Sequence, residues 1–527
     1  MNKIYEIFQE FLVSLKFYFH SKKVFENKSK NSKKIIMIET NRIYASHISY
    51  GYLLNSLLNK HDCQIGLFKA TIFKNSIIKY LHILCYKLNI FQYSSYKAFG
   101  KNKFIFYEQP KKKNKIKSIF KKIKNKNDLL LLKIDGVLIG DLIYDSYLRY
   151  QGKPTIDINS SDFKRFLKQS LYYYYFCKNL FKKYNIKSVI LSHTVYLPAI
   201  LGRLAIKNKA SFYCTAIGHC VRVGEDYLYN ENFKYYKKIL NEIQFQNFNK
   251  ALEKSKIDLK KKLSGKITAR NENLKKSAWS GRINRNIIKK DNKIKILVAT
   301  HCFFDSPHVF GNFLFNDFYE WMEYLGKVSE KTNYSWYIKP HPNKIYKSIN
   351  ESLIDKFVNK YKKFNLLERD ISHYSFVKNV DYILTIHGNI GEEYALFDMP
   401  VINAHKSGRF SEYKFNLNPK NFSEYNKLLM NLKKNIKFKT NKKEIYKAHL
   451  ANNLIFNNDI ILDYKKFCQT VGYKNINSYK AINYWLKHFN QSEHQIIKKK
   501  YDDFVYKVDH KIKYEKMRNI HYNATEV

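Results

Sequence analysis

The chain has 527 residues, of which 45% are hydrophobic and 16% are aromatic. This length and composition exclude an intrinsically disordered protein and predict about two to four folded domains. Lys and Arg number 95 against 44 Asp and Glu, so the formal net charge is +51.

The positive charge admits two interpretations. A basic surface attracts polyanions, such as nucleic acid or an anionic membrane. A compositional bias explains the excess as well, because Lys, Asn, Ile, Tyr and Phe are abundant together while Gly and Pro number only 17 and 8. No RRM, KH or zinc-finger signature accompanies the charge, so nucleic acid is not predicted as a partner.

The sequence predicts a cytoplasmic protein. Its seven cysteines form no C-x-x-C pair, as is typical of unpaired thiols in a reducing compartment. The N-terminus carries acidic residues within its apolar run and lacks a small-residue cleavage site, which argues against a signal peptide. No apolar run reaches the roughly 18 residues that span a bilayer, so any membrane association is expected to be peripheral.

Residues 1–30 are predicted to form an amphipathic helix and a linker. Apolar residues from Ile4 to Phe19 recur at helical spacing, with charged residues between them. Such a helix either packs on the following domain or lies on a membrane surface, and the sequence leaves both possibilities open.

Residues 31–230 are predicted to form a Rossmann-like domain, because apolar strand patterns alternate with helical ones. The domain has no G-x-G-x-x-G, so a dinucleotide site is not expected. Its middle stretch offers Asp135, Asp141 and Asp145, and a later strand ends at His193.

The rest of the chain is predicted to form a second domain flanked by helices. Residues 231–292 are a polar helical connection, residues 293–420 repeat the strand–helix alternation, and residues 421–527 are helical and basic, ending in a tail. The predicted fold class is therefore α/β. Two Rossmann-like domains face a cleft, with peripheral helices at both termini.

Two segments of the second domain place polar residues at the ends of predicted strands. The first holds Lys339 and His341, with Pro340 and Pro342 restricting the backbone. The second holds His387, Gly388, Asn389, Gly391, Glu392 and Glu393. Ligands bind at the carboxyl ends of parallel strands, and glycines, basic groups and a helix N-terminus there suit a phosphate. The two glutamates either complement the helix dipole or accept hydrogen bonds from a ribose.

A loop between these segments and the connection carries His301, Asp305 and His308 in an H-x3-D-x2-H arrangement. This spacing is compatible with a metal site. A loop that lines the cleft, with His301 near the donor, is the favoured interpretation, and no metal is predicted.

The run WYIKPHPN, followed by DYILTIHGNIGEEYALFDMPVINAH, resembles the C-terminal half of bacterial capsule and surface-polysaccharide glycosyltransferases of the GT-B fold. The similarity is greatest to the group that contains the Kdo transferases of capsule export. The stretches IDGVLIGDLIYDSYLR and VILSHTVYLPAILGRLA are similar to N-terminal halves in the same group. The resemblance spans roughly residues 130–405.

The resemblance implies a nucleotide-sugar donor on the C-terminal domain and a glycan acceptor on the N-terminal domain. It implies that His341 contacts the donor phosphate, that Glu393 holds the ribose and that no cofactor is needed. Asn389 stands where many relatives have Ser or Thr, which leaves the nucleotide open, with a CMP-sugar favoured. An inverting transfer also needs a general base from the N-terminal domain. His193 and Asp141 are the main candidates, with Asp135 and Asp145 as alternatives.

These features predict a glycosyltransferase that acts on a growing or lipid-linked cell-surface polysaccharide, peripheral to the inner face of the membrane. A CDP-alcohol phosphotransferase of teichoic-acid type is the alternative enzyme. A non-catalytic protein that binds polyanions or membranes is the alternative outside the enzymes.

Overall fold

The computed structural model describes residues 2–69, 76–243, 248–268, 272, 276–311, 313–341, 346–434, 436–508 and 513–518. In these residues the chain forms a seven-stranded sheet, a five-stranded sheet and a two-stranded hairpin. Helices cover both faces of the two larger sheets. No helix within the described ranges is long and apolar enough to cross a bilayer.

The first half of the chain alternates strands and helices. Its strands are β1 (Lys34–Glu39), β2 (Gln64–Phe68), β3 (Asn102–Ile105), β4 (Lys133–Ile134), β5 (Val137–Leu138), β6 (Asn185–Leu191), β7 (Ser211–Ala216) and β8 (His219–Val223). Its helices are α1 (Asn2–Val24), α2 (Tyr44–Lys60), α3 (Ser76–Leu88), α4 (Ser94–Lys97), α5 (Lys113–Lys122), α6 (Lys126–Leu130), α7 (Gly140–Gln151), α8 (Ser161–Lys183), α9 (Ala199–Lys207), α10 (Phe233–Glu242) and α11 (Phe248–Leu263).

The second half repeats the alternation and ends in helices. Its strands are β9 (Lys295–Ala299), β10 (Ser335–Lys339), β11 (Phe364–Leu366), β12 (Tyr382–Thr385), β13 (Val401–Asn403) and β14 (Glu515–Lys516). Its helices are α12 (Phe318–Lys331), α13 (Lys347–Lys360), α14 (Ile390–Ala395), α15 (Phe422–Met430), α16 (Lys442–His449), α17 (Tyr464–Val471), α18 (Tyr479–Lys487) and α19 (Gln491–Val508). A π-helical turn, Leu450–Ile455, continues α16.

The N-terminal sheet has the strand order β14-β8-β7-β6-β1-β2-β3. The five strands from β7 to β3 are parallel, and β8 and β14 extend the other edge in antiparallel fashion. Side chains of β1 alternate between two cores, with Ile35 and Met37 in one and Ile36 and Ile38 in the other. A central strand buried on both faces explains why β1 is an unbroken apolar run.

The C-terminal sheet has the order β11-β10-β9-β12-β13, and all its strands are parallel. In both sheets the first strand is central, and the chain adds strands on one side before it crosses to the other. The order therefore reverses between β1 and β6 in one sheet and between β9 and β12 in the other. Two Rossmann-like sheets confirm the predicted fold class.

The last helices do not stay with the C-terminal sheet. They return to the first domain, where Trp485 of α18 packs on Phe17 and Tyr501 of α19 stacks on Tyr52, with ring centroids 5.6 Å apart in both pairs. Strand β14 then pairs with β8. Neither β8 nor β14 is predicted from the sequence: β8 follows β7 after only two residues, and β14 itself has only two residues.

Candidate active site

Four histidines stand two residues beyond the ends of four parallel strands in the C-terminal sheet. His341 follows β10, His301 follows β9, His387 follows β12 and His405 follows β13. Because neighbouring strands end at one edge, the rings form a line in the order His341, His301, His387, His405. Their centroids are 6.1, 4.6 and 5.4 Å apart. We call this line the histidine row.

The centre of the histidine row lies where the strand order reverses. His301 and His387 flank the reversal between β9 and β12, which is the ligand-binding position in open α/β sheets. The Nε2 of His301 accepts the backbone N–H of Ile386 at 3.4 Å and lies 3.2 Å from Thr385 Oγ1. These contacts assign the ring proton to Nδ1, which leaves an N–H donor for a ligand.

The histidine row offers hydrogen-bond donors without positive charge. Burial lowers the pKa of His405 to about 3 and that of His301 and His387 well below the usual range. Surrounding protein lowers the pKa of His341 to about 4, although its ring is solvent-exposed at the edge of the sheet. At neutral pH the four rings are uncharged, and each carries one N–H.

Two members of the row have a buried ring nitrogen without a hydrogen-bond partner among the described residues. These atoms are the Nε2 of His387 and the Nε2 of His405. In His405 the other nitrogen, Nδ1, accepts the backbone N–H of Ser407 at 3.1 Å, so the proton is on Nε2. Buried polar atoms are nearly always paired in folded proteins, so these atoms indicate a place for a polar ligand.

The N-terminal sheet carries a second polar cluster at its own point of reversal, between β1 and β6. Ser192 Oγ donates to Glu39 Oε2 at 3.0 Å and lies 2.8 Å from Nδ1 of His193. Because the hydroxyl hydrogen is directed to Glu39, the His193 Nδ1–H donates to Ser192 and Nε2 keeps its lone pair. We call the chain Glu39–Ser192–His193 the relay. Surrounding protein and the nearby Arg149 lower the pKa of His193, whose side chain is exposed.

Asp305 shows that the two clusters face each other. Its Oδ1 lies 3.4 Å from the hydroxyl of Tyr196 and 3.9 Å from Nη1 of Arg149, both in the N-terminal domain. Its charge raises the pKa of His193 on one side and of His341 on the other, against the larger effect of burial. The relay and the histidine row therefore border one cleft.

A buried ion pair also joins the domains beside this cleft. The Nδ1 of His308 lies 2.6 Å from Asp145 Oδ1, and the backbone N–H of His308 donates to Oδ2 at 3.3 Å. Burial opposes the charged imidazole, but Asp145 outweighs it and raises the pKa of His308. The Nε2 of His308 is buried and has no hydrogen-bond partner in the described ranges. His308 is thus a further candidate donor, and its contact with Asp145 favours the protonated ring.

Two other acidic candidates do not reach the cleft. Asp141 is buried in a two-point ion pair with Arg203, at 2.6 and 2.7 Å, and accepts the Tyr229 hydroxyl at 2.9 Å. Although burial opposes it, Arg203 lowers the pKa of Asp141, so its carboxylate is a weak base. Asp135 lies in the turn between β4 and β5 and accepts from Lys178 and Tyr174. The geometry supports a structural role for both.

Lys339 and Glu393 differ from the histidine row, because other protein groups already satisfy their polar atoms. The Lys339 ammonium donates to the backbone carbonyls of Glu368, Arg369 and Ile371 at 2.7, 3.1 and 2.8 Å, which uses all three of its hydrogens. Glu393 is buried, and its oxygens accept from Trp279 Nε1 and Lys262 Nζ, each at 2.8 Å. These contacts do not support the phosphate role of Lys339 or the ribose role of Glu393.

The loop between β12 and α14 packs against neighbouring protein at its Gly391 end and lies at the cleft at its Gly388 end. A Cβ on Gly391 would lie 2.6 Å from the Phe410 ring and the Asn416 amide, so this glycine admits neighbouring protein rather than a ligand. A Cβ on Gly388 would come close only to Thr385 Oγ1, at 2.9 Å. Asn389 precedes α14 without capping it and is partly exposed. Because α14 has six residues, its dipole contributes little.

The side chains of His301, Asp305 and His308 in the H-x3-D-x2-H loop do not converge on one point. His301 faces Thr385, His308 faces Asp145, and Asp305 faces Tyr196. Over the described part of the chain, no group of three or more His, Cys, Asp or Glu side chains is placed to hold a metal ion.

Three residues of the cleft are not predicted from the sequence. His405 has the same signal as the other three histidines, two residues after a strand, and a comparison of strand ends would find it. Glu39, the last residue of β1, and Ser192, the first residue after β6, carry no such signal. Their partnership depends on strand pairing across 153 residues.

The fold and the cleft define an α/β protein with the GT-B type of architecture, in which two Rossmann-like domains face a cleft, with polar clusters at both sheet reversals. No family model and no curated protein matches the sequence. Solved structures to which this chain is similar include two KpsC enzymes of Thermosulfurimonas dismutans, a beta Kdo 2,4 transferase and a beta Kdo 2,7 transferase. A third is the UDP-GlcNAc 2-epimerase of Methanocaldococcus jannaschii in complex with UDP-GlcNAc and UDP.

The two KpsC enzymes are 11% and 12% identical to this chain and have TM-scores of 0.30 and 0.29. The matches cover 50% and 53% of this chain and 79% and 80% of theirs. The epimerase is 14% identical over 78% of this chain and 97% of its own, with a TM-score of 0.25. Identities and TM-scores this low carry no conclusion about this chain.

Proposed function

We propose that the protein is a glycosyltransferase that moves a sugar from a nucleotide-activated donor, with a CMP-sugar favoured, to a growing or lipid-linked cell-surface polysaccharide. The main support is the pair of polar clusters that face each other across the cleft. One side supplies uncharged N–H donors, and the other supplies a histidine with a free lone pair.

The histidine row suits the phosphate of the donor. Neutral imidazole N–H groups bind phosphate oxygens by hydrogen bonds, and their desolvated position makes each bond stronger than it is in water. His308 adds a further donor, whose contact with Asp145 favours the protonated imidazole. Together they stabilise the negative charge that grows on the phosphate as the sugar leaves.

The relay suits the acceptor. His193 Nε2 takes the proton from the acceptor hydroxyl, whose oxygen then bonds to the anomeric carbon. The bond between that carbon and the phosphate oxygen breaks, and the nucleotide leaves with the electron pair. Glu39, acting through Ser192, stabilises the imidazolium that forms. These roles apply to a transfer that inverts the configuration of the anomeric carbon.

The proposal includes peripheral attachment to the inner face of the cell membrane. A net charge of +51 favours contact with anionic lipid, and a lipid-linked acceptor is held at such a surface.

Binding of CMP, CDP and UDP, measured by thermal shift, is the first test. The purified protein is then incubated with CMP-Kdo, a UDP-sugar or CDP-glycerol, and the released nucleotide is identified. We expect CMP to stabilise the protein and His341→Ala to abolish the shift, because His341 is the exposed end of the row. His488→Ala, in the C-terminal helices, is the control. Release of CMP from CDP-glycerol with transfer of phosphoglycerol would favour the phosphotransferase, and no binding of any nucleotide would contradict a transferase.

A further inference from the structure

Two helices of the N-terminal domain expose apolar side chains that the fold does not use. On α1 the exposed residues are Ile4, Tyr5, Ile7, Phe8 and Phe19, and Ile4 is 76% exposed. On α3 they include Ile78, Tyr80, Leu81, Leu84 and Leu88, and Tyr80 is 68% exposed. Single exposed apolar residues are ordinary, but a concentration of them on neighbouring helices marks an interaction surface.

The two helices are neighbours. The turn Phe91–Tyr93 lies between them, with Phe91 edge-to-face against Phe11 of α1 and Tyr93 against His82 and Tyr86 of α3. Ring centroids in these contacts are 6.0 to 6.3 Å apart. The exposed residues of both helices therefore belong to one surface, which we call the α1–α3 face.

The charge around the α1–α3 face is more one-sided than that of the chain as a whole. Residues 63–105, which include α3, contain seven lysines and no acidic residue, although the whole chain has 44 acidic residues in 527. On α1, Glu6 is paired with Lys480, and Glu10 is buried against Arg42. Uniform compositional bias does not explain such a local absence of acidic side chains. The surroundings of the face complement an anionic partner.

The face borders the relay side of the cleft. Glu10 of α1 accepts from Arg42 Nη2 at 2.7 Å. The preceding residue, Asn41, lies with its Nδ2 3.3 Å from Ser192 Oγ in the relay. Helix α1, which carries part of the face, thus lies beside the side of the cleft assigned to the acceptor.

We propose that the α1–α3 face docks on an anionic lipid bilayer, with its apolar side chains in the interface and nearby lysines such as Lys87 and Lys97 over the headgroups. Apolar burial and attraction to anionic lipid together give stable surface binding, whereas either alone is weak. The inference deepens the proposed function by naming the surface that meets the membrane. It rests on that function only for the acceptor's place in the cleft.

Vesicle flotation with the full chain tests the docking. Neutral phosphatidylcholine vesicles are compared with vesicles that contain about 30% phosphatidylglycerol. We expect binding to the anionic vesicles alone, decreasing as salt is added because the Debye length shortens. The variants Ile4→Ser/Phe8→Ser and Leu81→Ser/Leu84→Ser should each reduce binding about tenfold or more.

The control is Ile496→Ser/Tyr506→Ser on α19, which removes apolar residues that are 55% and 74% exposed on another helix. It should bind vesicles as the unmodified chain does. CMP thermal shift on every variant reports whether the cleft is intact, so loss of docking is distinguished from loss of nucleotide binding. Equal binding by face and control variants would overturn the proposal. The proposal would also be overturned if the unmodified chain bound neither kind of vesicle and instead formed a dimer that the face substitutions dissociate.

Discussion

At the residue scale, the surroundings of each histidine in the cleft determine its chemistry. His193 has a lowered pKa and a free Nε2, so it suits proton abstraction. His308 has a raised pKa because Asp145 contacts it, so it suits charge stabilisation. The histidine row is uncharged and suits hydrogen bonding. One residue type thus supplies a base, a cation and neutral donors, because its usual pKa lies close to neutral pH.

His193→Ala should lower kcat about 10²- to 10⁴-fold and leave nucleotide affinity unchanged, because it removes only the base. Ser192→Ala, which breaks the relay but keeps the imidazole, should cause a smaller loss. In the unmodified chain, kcat/KM should rise with pH until His193 is deprotonated. Since the pKa of His193 is lowered, the plateau should begin below the usual histidine value of about 6.5. A pH–rate profile for each variant is the measurement, and an unchanged rate in His193→Ala would place the base elsewhere.

Lys339→Met should reduce the free energy of unfolding by about 2–3 kcal/mol, because the carbonyls of Glu368, Arg369 and Ile371 lose their donor. Urea denaturation measures this loss. The CMP affinity of the folded variant should change little. If affinity falls sharply while stability is kept, Lys339 binds the phosphate after all, as the sequence pattern predicts.

At the element scale, a network of ion pairs around Glu392 holds the short helix α14 in place. Glu392 contacts Lys262 at 3.0 Å and His449 at 3.2 Å, and His449 contacts Asp258 at 3.0 Å. These groups come from α11, α14 and α16, and all but Asp258 are buried. The network fastens the loop that carries His387 to the helical connection between the domains.

Glu392→Gln should cost about 3 kcal/mol of stability at neutral pH, because it leaves Lys262 with less compensating charge. Burial opposes the carboxylate, but Lys262 and His449 outweigh it and lower the pKa of Glu392 from 4.5 to about 2. Its contribution is therefore complete above about pH 4.5 and is lost as the pH falls towards 2. Unfolding measured against pH should show a shallower acid limb in the variant. The exposed Glu330→Gln is the control and should leave the curve unchanged.

Gly391→Ala should destabilise the protein by about 1–3 kcal/mol, because its Cβ would overlap the Phe410 ring and the Asn416 amide. Gly388→Ala is the matched substitution in the same loop and should cost less, since only the Thr385 hydroxyl must move. Thermal unfolding compares the two. Equal losses would show that the loop needs glycine for its backbone rather than for packing.

At the scale of the whole molecule, the chain crosses between the domains and returns. Helices α18 and α19 cover α1 and α2, and β14 adds a strand to the first sheet. The buried Lys516 forms an ion pair with the partly buried Glu231 at 2.8 Å. The first domain is therefore completed only when the last described residues are in place.

Truncation after Asn490 should destabilise the N-terminal sheet selectively. It removes the Tyr501 ring from Tyr52 and strand β14 from β8, and so uncovers apolar surface on α2. Hydrogen exchange should become faster in β1 and β7 while β9 and β12 stay protected. Truncation after Arg518, which removes none of these contacts, is the control. Equal protection of β1 in both truncated chains would contradict this account.

The sequence by itself determined the alternation of strands and helices and the placement of polar residues at strand ends. Both are local: the period of apolar residues reports burial, and a residue just after a strand lies at the edge of the sheet. His193, His301, His341 and His387 were accessible in this way.

Only the tertiary structure decided which polar groups remain available to a ligand. Lys339 and Glu393 belong to the same two segments as His341 and His387, yet carbonyls and ion-pair partners far along the chain satisfy them. The return of the last helices to the first sheet is equally non-local, since α18 and α19 show the same amphipathic pattern whichever domain they cover. A buried polar group bonds to whichever partner the tertiary packing places beside it, and the local sequence pattern does not predict that partner.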